Sequence, residues 1–379
     1  MVNKMKINKI SIKIKKFILL FIVILFILFV IKLMNLSPQN VYSSLKFSKD
    51  GELLVSGSRF GMRVWDLKER KISKVFKNST DSTLKVFFSP DQKKIASQGI
   101  GGTVKIWNVD NEKIIKSINR SCALYFSQDG DNFIYLTPTN NESGVLYSYD
   151  FGRDETSIIS KNILIDKSVI LYPIKGVEMS PKGNLLASYG NFKKKKGSYV
   201  YKVPMTDILS FFEISDPFFC SFSPDERYVA FIGNEGVSVW NLAEKKNIKN
   251  FFHRVDSDLW INRVCFSPIE RKIALGGTRT LNNDKKIYTF IWIWNMDDDK
   301  ISEINIEKGG GINTMAFSPD GETLAFARDI SITLLDVKSE KIIAKLDGED
   351  IFFMNEITGR NNILLKIIRP LYNLLKNIE

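Results

Sequence analysis

The chain has 379 residues, 44% of them hydrophobic and 12% aromatic, a composition that excludes intrinsic disorder and suits two average domains or one large all-β domain. Its net charge of +12 invites a nucleic-acid reading, but seven lysines and no acid precede Asn35, and from there 47 bases face 42 acids. The remaining 345 residues carry only +5, so a broad cationic face for a phosphate backbone is excluded and nucleic acid is disfavoured as a partner.

Residues 1–16 form a basic N-terminal tail containing Lys4, Lys6, Lys9, Lys13, Lys15 and Lys16. Phe17–Ile31 is an unbroken apolar run, and Lys32, Leu33 and Met34 extend it to eighteen residues. A spanning helix needs about 17–25 residues, and a lysine at its end can snorkel to the interface. Residues 17–34 are therefore expected to be a transmembrane signal anchor. "KLMNLSPQN" offers no A-x-A cleavage site and no lipoprotein cysteine. Lysines ahead of the span keep the N-terminus cytoplasmic and put the rest on the extracytoplasmic side. The alternative is a cleaved signal peptide and a secreted or periplasmic product. Residues 35–44 then serve as a linker or as a closing strand.

From Leu45 one phrase recurs seven times: "LKFSKDGELLVS", "VFFSPDQKKIAS", "LYFSQDGDNFIY", "VEMSPKGNLLAS", "SFSPDERYVAF", "CFSPIERKIAL" and "MAFSPDGETLAF". Its serine falls at Ser48, Ser89, Ser127, Ser180, Ser223, Ser267 and Ser318, a mean interval of 45 residues. In each copy a Ser-Pro-Asp-Gly type turn joins two strand-like runs. A third run follows: "MRVWDL", "VKIWNV", "LYSYDF", "YVYKVP", "VSVWNL", "IWIWNM" or "ITLLDV". A variable fourth run such as Lys341–Leu346 closes the unit. One four-stranded unit cannot bury both faces, so the units must stack, and strand-rich repeats of this length suit a propeller. The expected fold is all-β: a seven-bladed propeller of four-stranded antiparallel blades over residues 45–348, with the N-terminal transmembrane helix and a short C-terminal amphipathic helix.

These phrases, with Trp65-Asp66, Trp107-Asn108, Trp240-Asn241 and Trp294-Asn295, resemble the WD40 repeat family. The "FSPDG…LAF" style is also similar to the TolB-type repeats of periplasmic propellers. The WD40 resemblance covers about Leu45–Leu346 and implies a ring built for protein contacts. The chain departs from the family's pattern in having His253 as its only histidine. The family's buried Asp-His-Ser-Trp network is therefore complete in no blade, and Tyr149, Tyr201 and Leu335 replace the tryptophan in three of them.

Chemistry is sparse. No G-x-S-x-G, Walker, H-E-x-x-H or G-x-G-x-x-G motif occurs, and Cys122, Cys220 and Cys265 lack metal-ligand spacing. No catalytic, cofactor or metal site is expected, and no enzyme activity. Differences between the copies say more. Labelling the strands of a unit a to d, the b–c loops and the d–a links open on one rim. The longer stretches at Pro138–Gly144, Asn191–Gly197, Phe251–Trp260 and Thr278–Ile287 fall there. Lys193, Lys194, Lys195, Lys196, Arg254, Trp260, Arg279, Lys285 and Lys286 are the candidate partner-binding residues, a basic rim with an aromatic anchor. The alternative is a solvated lysine loop and a core tryptophan. Residues 349–379 form a C-terminal tail whose Leu364, Ile368, Leu371, Leu375 and Ile378 make one helical stripe. It either packs on the propeller or lies in the membrane interface.

The expected function is a membrane-anchored, non-enzymatic protein-protein interaction scaffold that binds a protein or peptide on this rim. The alternative is an extracytoplasmic propeller that senses or processes a small ligand or an anionic polymer.

Overall fold

The computed structural model describes residues 42–347, except 59–60, 77–82, 140–142, 166–175, 193–194, 205–207, 253–258, 281–286, 309 and 329–330. The expected anchor at 17–34, residues 35–41 of the linker and the tail at 349–379 lie outside the described residues. Among the described residues no helix is long and apolar enough to cross a membrane.

Seven four-stranded antiparallel sheets follow one another along the chain. Blade one holds β1 (Ser44–Phe47), β2 (Leu53–Ser58), β3 (Gly61–Asp66) and β4 (Lys71–Phe76), and blade two β5 (Thr83–Phe88), β6 (Lys94–Gly99), β7 (Val104–Asn108) and β8 (Ile114–Ile118). Blade three holds β9 (Cys122–Phe126), β10 (Asn132–Pro138), β11 (Ser143–Asp150) and β12 (Glu155–Leu164), and blade four β13 (Val177–Met179), β14 (Leu185–Phe192), β15 (Lys195–Lys202) and β16 (Ile208–Glu213). Blade five holds β17 (Phe219–Phe222), β18 (Tyr228–Gly233), β19 (Gly236–Asn241) and β20 (Lys246–Phe252), and blade six β21 (Trp260–Phe266), β22 (Lys272–Thr280), β23 (Ile287–Asn295) and β24 (Ile301–Lys308). Blade seven holds β25 (Ile312–Phe317), β26 (Thr323–Arg328), β27 (Ser331–Asp336) and β28 (Lys341–Asp347).

The first strands of the blades form the inner ring. β1 touches β5 and β25, β9 touches β5 and β13, and β21 touches β17 and β25, while β13 meets β17. The ring is closed, and every blade is built from four consecutive strands. Ser44 opens β1 of blade one, and the outer strand of blade seven is β28. Residues 42 and 43 lead directly into β1.

The alternation of a strand places successive side chains on opposite faces, and here each face meets a different neighbour. Leu54 packs with Ala325, Ala327 and Leu346 of blade seven, whereas Val55, next in the strand, packs with Val86 and Ile95 of blade two. Second strands such as β2, β6 and β18 are buried on both faces, which is why "LLVS" and "YVAF" read as continuous apolar runs rather than alternating ones. The core is accordingly seven apolar clusters, one in each gap between successive blades, including the gap between blades seven and one.

The repeated turn is built by its serine. Ser48 Oγ donates to Asp50 Oδ1 (2.6 Å) and accepts from Leu53 N (2.9 Å), while Asp50 accepts from Glu52 N (3.0 Å). The same arrangement recurs at Ser89, Ser127, Ser223 and Ser318. The Ser48 hydroxyl, with the other donors around it, holds the Asp50 carboxyl below the usual carboxylate range. Blade four has Lys182 where the aspartate would stand, and Ser180 Oγ donates instead to Glu226 of blade five (2.5 Å).

Meander order puts these a–b turns and the c–d turns on one rim, and the b–c loops and d–a links on the other. β1 begins and β28 ends on the second, insertion-bearing rim.

Candidate functional site

Of the expected partner-binding residues, Lys193, Lys194, Arg254, Lys285 and Lys286 lie outside the described residues. Lys195 and Lys196 start β15, opposite Phe192 and Asn191. Lys195 is exposed, with its ammonium 5.6 Å from the Phe211 ring centroid. Lys196 pairs with Asp216 at 2.8 Å. Arg279, near the end of β22, pairs with Glu303 at 2.7 Å and also donates to Asn305. Two of the expected rim cations are thus already matched by acids, Asp216 in the link from blade four to blade five and Glu303 within β24. Trp260 begins β21 opposite Thr278, one residue from Arg279. It is 44% exposed, so it is not the core tryptophan of the alternative reading. It stacks on Phe218, with ring centroids 6.4 Å apart and planes at 3°.

Phe252, the last residue of β20, was not among the expected residues and is 61% exposed. It borders a cavity of about 290 Å³ between blades four and five, lined also by Glu213, Glu235 and Asn250. The signal for it lay in "FFHRVDSDLW": with Phe251 turned into the core, strand alternation sends Phe252 outward.

The second feature is the central channel. Counting back from each repeat serine, the positions four and two residues earlier fall in two successive tiers of the inner ring. The first tier is Ser44, Lys85, Ala123, Gly176, Phe219, Arg263 and Thr314; the second includes Lys46, Phe87 and Glu178. Eight of these line a cavity of about 300 Å³ together with Tyr189 and Phe218. Its ionisable walls are three cations, Lys46, Lys85 and Arg263, and one carboxylate, Glu178.

Lys85 crosses from blade two to blade four, donating to Glu178 Oε2 (2.8 Å) and to the Val177 carbonyl (3.1 Å). Blade three contributes only Ala123 at that tier, which leaves the lysine room to pass. Burial works against the lysine's charge, and the Glu178 carboxylate outweighs it, so its pKa is raised. Arg263 is placed differently. Its guanidinium donates to the backbone carbonyls of Asn313 and Asn262 and lies 5.5 Å from the Phe219 ring centroid. Burial pulls its pKa down to about 10. Among the described residues no carboxylate pairs with Arg263 or Lys46. The channel residues are not legible in the sequence because the serine is common to all seven copies whereas the positions upstream of it vary.

The third feature is the aromatic of strand c and its polar partner. Trp65 Nε1 donates to Ser56 Oγ and Trp107 Nε1 to Ser97 Oγ, both at 2.9 Å. A serine–tryptophan hydrogen bond between strands b and c is thus present in blades one and two. In blade three Tyr149 donates to Asp154 (2.6 Å), and in blade six Trp294 donates to Asp299 (2.8 Å). Trp240 of blade five turns to Ser238 (3.0 Å). The three cysteines are free, and no group of metal-ligating side chains occurs among the described residues.

A family model described as "WD domain, G-beta repeat" matches residues 34–66 and 70–108, the stretch that carries the two Ser–Trp pairs. A Drosophila melanogaster protein named WD repeat-containing protein 26 homolog is 25% identical over 268 residues, covering 65% of this chain and 38% of its own length. A Schizosaccharomyces pombe protein named probable coatomer subunit beta' is 30% identical over 108 residues, 28% of this chain and 13% of that protein. The chain thus spans well under half the length of either relative.

Proposed function

The chain is a WD40-type seven-bladed propeller, and from that premise we propose that it is a non-enzymatic scaffold that binds a protein or peptide on its insertion-bearing rim and is held at a membrane by residues 17–34. One observation carries the rim reading. The link between blades five and six is flanked by two exposed aromatics, Phe252 and Trp260, on the rim where the repeats differ in length. Exposed aromatics beside a cavity are what a partner covers with most gain in binding. The opposite rim carries the repeated serine turns, which satisfy their own hydrogen bonds. The relatives' names fit a scaffold, since one is a WD-repeat protein and the other a coatomer subunit. The membrane reading rests on the eighteen-residue apolar run and the lysines ahead of it.

Photocrosslinking in intact membranes tests both parts. A photoreactive phenylalanine analogue at position 252 or 260 is expected to give a discrete crosslinked species from membranes that retain the chain through an alkaline wash. The same analogue at Asp129 or Asp320, on the other rim, should not. Equal crosslinking from both rims would overturn the rim assignment, and release of the full chain by the wash would overturn the anchor.

A further inference from the structure

The channel contains more positive charge than its own carboxylate can balance. Glu178 is committed to Lys85, both side chains being largely withdrawn from water at 25% and 16% exposure. On the other side of the axis Arg263 from blade six and Lys46 from blade one line the same 300 Å³ space. An unpaired cation held away from water is costly, and replacing it by an apolar residue is usually neutral or stabilising. A residue the size of Arg263 is not required at that position, since four of its six equivalents four residues before the serine are the small Ser44, Ala123, Gly176 and Thr314. Its two backbone acceptors orient the guanidinium without neutralising it, and the Phe219 face braces it.

We propose that the central channel is a receptor for a single carboxylate group, carried either by a small organic acid or by an acidic residue of a peptide, with Arg263 as its principal partner and Lys46 as the second. The geometry sets the ligand's charge. Two Arg263 donors, Nε and one on Nη1, are occupied, which leaves Nη2 and the remaining Nη1 hydrogen for an acceptor. Glu178 is already paired with Lys85 and Lys46 is exposed to water, so Arg263 is the channel cation left to match, and one negative charge suffices for it. The cavity is at the lower end of ligand-site volumes, about 300–1,000 Å³, which suits a side chain or a small acid. Phe218, which also lines the channel, stacks on Trp260 at the start of β21, so the channel adjoins the insertion-bearing rim. The inference stands apart from the rim reading, because the channel can take a free acid whether or not a protein sits above it.

Ligand-detected NMR titration of the full chain in neutral detergent, at fixed ionic strength, tests it with three probes: N-acetylglycine, an end-capped peptide with one glutamate, and inorganic phosphate. Saturable binding of either carboxylate probe is expected. Binding of N-acetylglycine alone identifies a free acid as the occupant, and binding of the peptide alone identifies a partner's side chain. R263Q should weaken binding by about tenfold or more, the loss of one charged hydrogen bond. K46Q should weaken it less, and E178Q should strengthen it by releasing Lys85 and removing the repelling charge. These opposite signs keep the test decisive if R263Q fails to fold, with R263K as the charge-conserving comparison. No saturable binding of either carboxylate, tighter binding of phosphate, or affinities unmoved by K46Q and E178Q would overturn the proposal.

Discussion

Ser56 and Trp65, each 1% exposed, show how one hydrogen bond ties two strands of a blade. The indole N–H has no water to turn to, so removing the hydroxyl leaves a buried donor unsatisfied. S56A is expected to cost about 1–3 kcal/mol in chemical denaturation. W65F also loses packing, so the double variant S56A/W65F is the informative measurement, with a coupling of about 0.5–3 kcal/mol expected. Blades three and six solve the same problem otherwise. Asp154 and Asp299 occupy the turn five residues after the aromatic, with φ of 53° and 56°, and accept its proton. Each aspartate also pairs with a lysine from the preceding blade's outer strand, Lys116 at 2.8 Å and Lys249 at 2.6 Å. The donor of strand c is thus satisfied within its own blade in both cases, and in blades three and six its acceptor is also tied across the gap.

At the scale of the strand pair, the blades meet through their turns as well as their faces. Gly183, at φ +79°, sits in the a–b turn of blade four, and a Cβ there would lie 2.2 Å from the Tyr125 hydroxyl of blade three. G183A is expected to destabilise by more than about 1 kcal/mol, through backbone strain and displacement of the tyrosine, read as a lower denaturation midpoint at unchanged slope. The outer strands are the open edges of each sheet, and the ladder slips by one residue just before the strand-c aromatic, between Val64 and Trp65, Ile106 and Trp107, and Val239 and Trp240. Such bulges twist an edge away from intermolecular pairing. The strands and turns were legible in the sequence because each copy repeats its apolar and turn residues at the same offsets. The bulges and the turn aspartates were not, because the partners that explain them come from another strand or another blade. The rim was legible as differences in length. Of its residues, the fate of Lys196 and Arg279 was hidden, since Asp216 and Glu303 lie 20 and 24 positions away in sequence. The channel cations were hidden for a similar reason: Lys85 and Glu178 meet only after the intervening blade has been folded past.

Among the described residues the ring closes through an apolar seam. Tyr42, Leu45, Leu54 and Trp65 of blade one meet Ala325, Ile332, Leu334 and Leu346 of blade seven. Leu346 is 1% exposed, and L346A is expected to cost about 2–5 kcal/mol. The loss falls on the one gap that chain connectivity does not reinforce, so limited proteolysis of this variant should begin in blades one and seven. A cleavage pattern that starts in blades three to five would contradict that account of closure. The chain enters β1 and leaves β28 on the same, insertion-bearing rim, and this has an orientational consequence. A bilayer tether at residues 17–34 is separated from Tyr42 by only 35–41, a reach of at most about 25 Å at roughly 3.3–3.6 Å per residue. The propeller would then hang with its variable rim and its channel mouth turned toward the lipid. Only molecules that already sit close to the bilayer surface could pass beneath it, so the tether itself would act as a filter on what the ring can hold.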